Sequence, residues 1–399
     1  MPPGIWRNRD FRIVLGGGFV NNVGDWLLLV ALPAFIYTRT GSGRATATVV
    51  IIGLVVGIVF GPLGGSLADR WDLRRTVIGT NVLQALALLP LLAVNEDRVW
   101  PAFVAAVLEA VLQQINNPAS FALVPRIVPA EQLQQANAAN GASQSIARLI
   151  GSPLGGIAVA LGGLELVVVI DGLTFVAVAV ATVFVRTPTA SLVTTDDETG
   201  RTAGVRDGWR SIRRHRRLVG FLASQTVGEV AYAMFPVLFI AFVVDVLDGD
   251  EAVIGIIRGT AAFGGLAASW LIGKRASRVD PTRLMAWGYV GLGGIAFFFV
   301  NLSSLTTALW VFLVVFALSG LPNMTVQVGE AGAAQRLCPP PLLGRFLGFL
   351  SASGAVGAIA GSLAVGLLVD DVNVKVLLNV QAGLYVAAGV LVWATVSRP

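Results

Sequence analysis

Long apolar runs alternate with short polar links along almost the whole chain. Each run is long enough to cross the ~30 Å hydrocarbon layer of a bilayer as a helix. The predicted spans are 11–37, 45–68, 76–94, 99–123, 134–161, 164–185, 218–246, 252–272, 283–302, 305–329, 342–369 and 374–396. The pattern therefore predicts an all-α protein with twelve transmembrane helices.

The amino-acid composition also indicates a membrane protein. Of 399 residues, 55% are hydrophobic and 13% are charged, whereas a soluble domain has about 25% charged residues. The mean hydropathy is +0.77. The first apolar run continues directly into further spans, so we expect a first transmembrane helix rather than a cleaved signal peptide.

One polar segment interrupts the pattern near the middle of the chain. Residues 186–217 begin rich in Thr, Asp and Glu and end with six arginines around Trp209 and Ile212. This composition indicates a linker that ends in a basic amphipathic helix on the inner membrane surface. The predicted domains are a six-helix half at 1–185, the linker at 186–217, and a second six-helix half at 218–399.

Basic residues favour one side of the predicted membrane. Alternate links hold most of the arginines, including the linker and the links at 64–75 and 273–283, while the opposite links hold few. The positive-inside rule then places both termini in the cytoplasm. The pI near 10 is explained by these loops facing anionic lipid, and we expect no nucleic-acid partner.

The two halves also resemble each other in sequence. At an offset of 210, Arg126 aligns with Arg336, Ser143 with Ser353, and Gly151-Ser152 with Gly361-Ser362. The spacing is preserved over about forty residues, which indicates an internal duplication. Two six-helix halves related by an axis along the membrane normal predict a site between them and alternating access as the mechanism.

Three acids lie deep in predicted spans. Asp25, Glu109 and Glu229 are ten to fourteen residues from the starts of the first, fourth and seventh spans. At 1.5 Å per residue all three are near the middle of the bilayer, where a carboxylate is costly and is a functional candidate by default. Each could couple proton and substrate movement, or could fix packing through a hydrogen bond, as Asn21 or Asn22 could provide for Asp25.

Other polar and aromatic side chains in the spans are weaker candidates. Arg148, in the fifth span, needs an acidic partner, and Glu109 on the adjacent helix is the expected one, forming either a gate or a static brace. Asp171 and Arg258 lie nearer the outer ends of their spans and are expected to be interfacial. Cavity-lining aromatic candidates, each with core packing as the alternative, are Trp26, Tyr232 and Phe235.

The link between the second and third spans carries the most specific motif. Residues 65–75 read G-x-L-x-D-R-x-x-x-R-R and resemble the loop signature of the major facilitator superfamily of secondary transporters. The resemblance implies a latch that holds the inner side closed, with a topology signal alone as the alternative. The implied latch residues are Gly65, Asp69, Arg70, Arg74, Arg75, Gly344 and Arg345.

Further stretches resemble one branch of that superfamily. They are Phe11-Arg12, Gly24-Asp25-Trp26, Asn117-Pro118-Ala119, Pro125 to Pro129, and Gly344-Arg345. That branch contains macrolide-efflux proteins, enterobactin exporters and lysophospholipid transporters. The resemblance implies that the first, fourth and seventh helices line one cavity, so that Asp25, Glu109 and Glu229 would face the same space.

The fifth span contains Gly151-Ser152-Pro153-Leu154-Gly155-Gly156. This run is similar to a glycine-proline signature associated with drug antiporters, although Pro153 stands one residue later than in that signature. The small residues allow close helix packing and the proline favours a kink. A packing face alone is an equally open interpretation.

Enzymatic function is not expected. The sequence has no G-x-S-x-G, H-E-x-x-H or P-loop motif, and its single histidine and single cysteine, His215 and Cys338, make a metal site or an intrachain disulfide improbable. We expect no cofactor.

The sequence therefore favours a monomeric, proton-coupled exporter of hydrophobic or amphiphilic small molecules in a bacterial cytoplasmic membrane. Its expected partners are the substrate, protons and membrane lipid. A lysophospholipid or siderophore transporter on the same fold remains an alternative, as does a non-transporting membrane sensor or assembly partner.

Overall fold

A computed structural model describes the backbone of residues 5–95, 98–186, 210, 212–275, 280–338 and 343–396. Within these ranges, the side chains of 62–70, 130, 134, 138, 266, 269–275 and 343–345 are not described.

The described chain is built from long α-helices. The first half contains α1 (Arg9–Thr40), α2 (Gly43–Arg70), α3 (Leu73–Ala87), α4 (Trp100–Ile127) and a helical run Leu133–Val183. The second half contains α7 (Arg216–Leu247), α8 (Glu251–Arg275), α9 (Pro281–Leu302), α10 (Leu309–Leu337), α11 (Leu343–Leu368) and α12 (Val374–Leu391). Short 3₁₀ turns occur at Ile5–Arg7, Leu89–Ala93 and Ala130–Gln132, and Val392–Val396 continues α12 as a π-helical turn.

Two glycines divide the run Leu133–Val183. Gly162 and Gly163 have non-helical backbone angles, and the φ of Gly163 is +60°, a left-handed conformation that favours glycine. We call the two arms α5 (133–161) and α6 (164–183). The break falls between the predicted fifth and sixth spans.

Nine helices in the described part of the chain are long and apolar enough to cross a membrane, with the bent run counted once. Helices α4 and α8 are not among them. Polar side chains such as Glu109 and Asn116 interrupt the apolar sequence of α4, and the side chains of the last part of α8 are not described. The all-α membrane architecture expected from the sequence is confirmed.

Polar caps start several of these helices. The side-chain oxygens of Asn8, Asp72, Asp280 and Asn373 accept backbone N–H bonds of 2.8–3.1 Å at the starts of α1, α3, α9 and α12. Such caps satisfy N–H groups that have no partner within the helix.

The helices form two compact units. The first unit contains α1–α6 together with residues 249–259, at the start of α8, and the second contains α7, the rest of α8 and α9–α12. In the first unit, α1 packs most extensively against the run Leu133–Val183, and α2 against α4. In the second unit, α9 packs against α10 and α12, and α7 against α11.

Candidate functional site

Asp25 is a half-buried carboxylate in the middle of α1. Asn21, one turn earlier on the same helix, donates a hydrogen bond of 2.9 Å from Nδ2 to Asp25 Oδ2. This is the local bond that the packing interpretation of Asp25 requires, and it is compatible with a coupling role.

Asp171 lies beside this part of α1. A Cβ atom on Gly24 would collide with Asp171 Oδ1 and Thr174 Oγ1, so the missing side chain of Gly24 lets α6 approach closely. Asp171 is fully buried and accepts a bond of 3.2 Å from Thr174 Oγ1. The expectation that Asp171 is interfacial is wrong, because α6 turns its carboxyl group into the core of the first unit.

Glu109 completes an acidic group in the first unit. Gln84, a buried residue of α3, donates a bond of 2.6 Å from Nε2 to Glu109 Oε1. Asp25, Glu109 and Asp171 are close enough for their charges to interact with one another. We name Asn21, Asp25, Gln84, Glu109 and Asp171 the first-unit cluster.

Arg148 does not form the predicted ion pair with Glu109. Its guanidinium lies over the ring of Trp26, 5.0 Å from the centroid, in a cation–π arrangement. Gly151, one turn further along α5, packs against Trp26 and so brings this part of α5 close to the indole. Glu109 is engaged by Gln84 instead.

Glu229, on α7, belongs to the second unit. Gln225 forms a side-chain hydrogen bond with it, and Ser353 on α11 donates a bond of 3.2 Å to Gln225 Oε1. Gly354 and Gly357 of α11 face Glu229. A space shared by Glu229, Asp25 and Glu109 stays a prediction.

Glu330, on α10, is an acid that the span pattern does not predict as a site residue. Tyr289 of α9 donates a bond of 2.6 Å from its hydroxyl to Glu330 Oε1, and the Tyr289 ring packs against Gly228. Glu330 falls one residue beyond the predicted end of the tenth span, whereas α10 continues to Leu337.

A second repeat in the sequence would have pointed to these sites. Residues 21–25, Asn-Asn-Val-Gly-Asp, correspond to 225–229, Gln-Thr-Val-Gly-Glu, at an offset of 204. In both units the amide bonds to the acid one turn later, and the intervening glycine receives a neighbouring helix.

The aromatic candidates have different surroundings. Phe235 stacks on Phe239 and Phe316, with ring centroids 5.0 and 5.7 Å away, in an aromatic core of the second unit. Tyr232 is 47% exposed. Trp26 lies under Arg148, so it is the aromatic candidate that touches a charged group.

The glycine-proline run of α5 is a close-packing face. Gly151 and Gly155 lie against the backbone of Val23 and Leu27 on α1. On its other side, Gly156 lies against the backbone at Glu251, and Pro153 fits against Gly259. The run thus positions the stretch of α1 that carries Asp25.

The predicted latch is only partly within the described chain. Arg74 donates to the carbonyls of Thr182, at 3.2 Å, and Val183, which end α6. The backbone N–H of Arg75 donates to Asp72. The side chains of the other predicted latch residues lie outside the described residues: Gly65, Asp69, Arg70, Gly344 and Arg345.

The link before α9 contains an ion pair. Asp280 lies 3.2 Å from Arg336 and accepts bonds from both the backbone N–H and the hydroxyl of Thr282. Partial burial alone would raise the pKa of Asp280, but the Thr282 bonds and the charge of Arg336 together hold it below its usual value.

No metal site is evident in the part of the chain that the structure describes. No group of three or more His, Cys, Asp or Glu side chains there could hold a metal ion. The first-unit cluster can instead bind protons, or a ligand that brings positive charge and hydrogen-bond donors.

Comparisons with known proteins give the family. The model of the Major Facilitator Superfamily matches residues 14–339 and 230–399. Macrolide efflux protein A of Streptococcus pyogenes is 22% identical over 92% of this chain and 90% of its own. Enterobactin exporter EntS of Escherichia coli O1:K1 / APEC is 27% identical over 89% and 84%.

Among solved structures, the chain is similar to a bacterial homologue of the iron transporter ferroportin in an inward-facing state. The TM-score is 0.79 at 19% identity, over 98% of this chain and 99% of that one. At this identity the likeness shows the fold alone. With the family model matching nearly the whole length, the chain belongs to the Major Facilitator Superfamily and is a multi-pass membrane transporter rather than an enzyme.

Proposed function

We propose that this transporter exports hydrophobic or amphiphilic small molecules in exchange for protons, with Asp25 as the leading proton carrier. The observation that carries the proposal is the first-unit cluster. Three carboxylates interact inside a helical unit, and Asn21 and Gln84 are the amides that engage two of them.

The chemistry of buried carboxylates supports exchange. An ionised carboxylate inside a membrane protein is unfavourable unless a proton neutralises it or a cation pairs with it. A proton and a cationic substrate compete for the same oxygen atoms, so binding one favours release of the other. In a fold that opens to alternate sides, this competition couples their movements in opposite directions.

Export is the direction that the relatives favour. Proteins similar to this chain over most of its length include a macrolide efflux protein, an enterobactin exporter and a putative bacilysin exporter of Bacillus subtilis. Their named substrates differ, so the substrate here is proposed by its chemistry: an amphiphile whose polar group carries positive charge. The acidic cluster makes an anionic siderophore or a lysophospholipid the less favoured substrate.

The proposed location is the cytoplasmic membrane of a bacterium, with both termini inside and the protein acting as a monomer. The arginine-rich links support this orientation through the positive-inside rule. Reporter fusions at the two termini test it, and a periplasmic reporter signal from either terminus would overturn the orientation.

The test of function is transport by the purified protein in liposomes under an imposed pH gradient. The panel contains cationic amphiphiles, macrolides, lysophospholipids and a siderophore. We expect cationic amphiphiles to drive proton movement, and Asp25→Asn to abolish it. Glu165→Gln is the matched control, because Glu165 is an exposed acid at the start of α6.

Four other results would change the proposal. Transport of a compound without proton movement would indicate a facilitator, and preferred transport of a lysophospholipid or siderophore would support that alternative. Unimpaired coupling in Asp25→Asn would remove Asp25 as the carrier. If no member of the panel moves, a sensor or assembly role becomes the better account.

A further inference from the structure

Buried oxygen atoms without a hydrogen-bond partner are distributed unequally between the two units. Of those found among the described residues, one lies in the second unit, on Ser362, and six lie in the first. These six are Asn21 Oδ1, Asn81 Oδ1, Gln84 Oε1, Glu109 Oε2, Ser143 Oγ and Asp171 Oδ2. Four of the six atoms belong to the first-unit cluster.

The repeated segments explain part of this difference. In the second unit, Ser353 donates to Gln225 Oε1, and Gln225 bonds to Glu229. The three side chains are therefore joined by hydrogen bonds. In the first unit, Asn21 bonds to Asp25, but Asn21 Oδ1 and the hydroxyl of Ser143, which corresponds to Ser353, have no protein partner. Asparagine is one methylene shorter than glutamine, and we attribute the missing hydrogen bond between Ser143 and Asn21 to this difference in length.

The four unpartnered oxygens of the first-unit cluster have the same hydrogen-bonding role. When the two carboxyl groups are ionised, Asn21 Oδ1, Gln84 Oε1, Glu109 Oε2 and Asp171 Oδ2 are all acceptors. The amide nitrogens of Asn21 and Gln84 and the hydroxyl of Thr174 each donate to one of the three carboxylates, and none of these donors reaches the four unpartnered oxygens. A buried acceptor without a donor is unfavourable by about 1–3 kcal/mol, and more when it is charged.

Arg148 of α5 does not neutralise the three carboxylates. The guanidinium of Arg148 lies over Trp26 and makes no ion pair with any of the three carboxylates described here. Asp171 and Gln84, which carry two of the unpartnered oxygens, are 0% and 1% exposed. The complementary ligand therefore carries positive charge and several N–H donors.

We propose that the first-unit cluster binds a protonated primary or secondary amine of the transported molecule, whereas its repeat counterpart in the second unit is closed to such a ligand. This assignment rests on the proposed export function and narrows its substrate class. An ammonium group with two or three N–H bonds satisfies several acceptors at once, and a quaternary ammonium satisfies none of them.

The first test compares two probes of equal charge. Binding of 1-naphthylmethylammonium and of its N,N,N-trimethyl derivative to the purified protein is measured by calorimetry in detergent at neutral pH. We expect the primary ammonium to bind at least tenfold more tightly. Equal affinity, or tighter binding of the trimethyl derivative, would overturn the proposal.

The second test uses the difference between the repeats. Asn21→Gln adds the methylene that lets Gln225 reach Ser353, so we expect the new side chain to bond to Ser143. The tenfold preference for the primary ammonium should then fall to about twofold or less. Asn137→Gln makes the same change at an exposed position of α5 and serves as the control. Melting curves in detergent show whether each variant remains folded.

An unchanged preference in folded Asn21→Gln would count against the proposal, as would an equal loss in Asn137→Gln. If Asn21→Gln fails to fold, Asn21→Ser replaces it; we expect this shorter side chain to lower the affinity for the ammonium probe, and an undiminished affinity overturns the proposal.

Binding is measured without a pH gradient, so the two proposals fail separately. Amine selectivity without proton movement would keep this assignment and remove antiport. Proton movement without amine selectivity would keep antiport and remove the amine assignment.

Discussion

At the scale of single residues, the position of Asp171 depends on how closely α6 approaches α1 at Gly24. A Cβ at this position would meet Asp171 Oδ1 and Thr174 Oγ1, both in a buried environment. We expect Gly24→Ala to destabilise the first unit by about 1–3 kcal/mol, because the core must shift to admit one methyl group. Thermal melting in detergent measures this.

Gly18→Ala is the matched control for that change. It lies on the same helix, and its added Cβ would have no neighbour within 4 Å. Since alanine is the better helix former by roughly 0.5–1 kcal/mol, the melting temperature of Gly18→Ala should stay the same or rise. Equal destabilisation of both variants would mean that the contact with Asp171 is not what matters.

At the scale of elements, the break between α5 and α6 depends on Gly163. Its φ of +60° lies in the left-handed region, where an L side chain is unfavourable by roughly 1–2 kcal/mol. We therefore expect Gly163→Ala to lower the melting temperature, whereas Gly172→Ala, within regular α6 and with open space at its Cβ, should not. A lower melting temperature for Gly172→Ala alone would contradict this account of the break.

The cap of α9 gives an element-scale prediction with a pH dependence. Asp280 bonds to Thr282 and pairs with Arg336, and its pKa in the folded protein is below its usual value. Its contribution to stability is therefore present above the unfolded pKa of about 3.9 and is lost as the pH falls through the lower, folded pKa. Asp280→Asn should lose this contribution at neutral pH and differ little from wild type in strong acid.

Melting temperatures measured from pH 7 down to about pH 2 test that prediction. Asp280→Ala should be less stable by about 1 kcal/mol at neutral pH, through loss of the cap. Arg336→Gln isolates the ion pair, and we expect a smaller effect because the pair is largely exposed to solvent. A stability difference between wild type and Asp280→Asn that is constant with pH would contradict the assignment.

At the scale of the whole molecule, the helical membrane fold could be predicted from sequence because apolar length alone specifies a span. The break at Gly162-Gly163 fell between the predicted spans for the same reason. Helix α4 was predicted as a span despite its polar residues, and in the structure these face Gln84, Thr80 and Asn81 of α3.

The site was less predictable, because burial depth and pairing depend on which helices approach each other. The position of Asp171 along its span predicts a place at the membrane interface, but the missing side chain of Gly24 lets α6 bring this carboxyl group into the core. Opposite charge alone predicts a pair between Arg148 and Glu109. In the structure Arg148 lies over the indole ring of Trp26, and Glu109 accepts a bond from the amide of Gln84. Glu330 lies just beyond the predicted end of the tenth span, whereas α10 continues to Leu337.

The central claim is that protons and a cationic substrate compete for the same carboxylates, with Asp25 the leading proton carrier. The most direct measurement is proton release when 1-naphthylmethylammonium is added to the purified protein in weakly buffered detergent solution. The account predicts release that saturates with the amine, persists in Glu165→Gln and is lost in Asp25→Asn. Saturable amine binding without proton release, or release unchanged in Asp25→Asn, would contradict it.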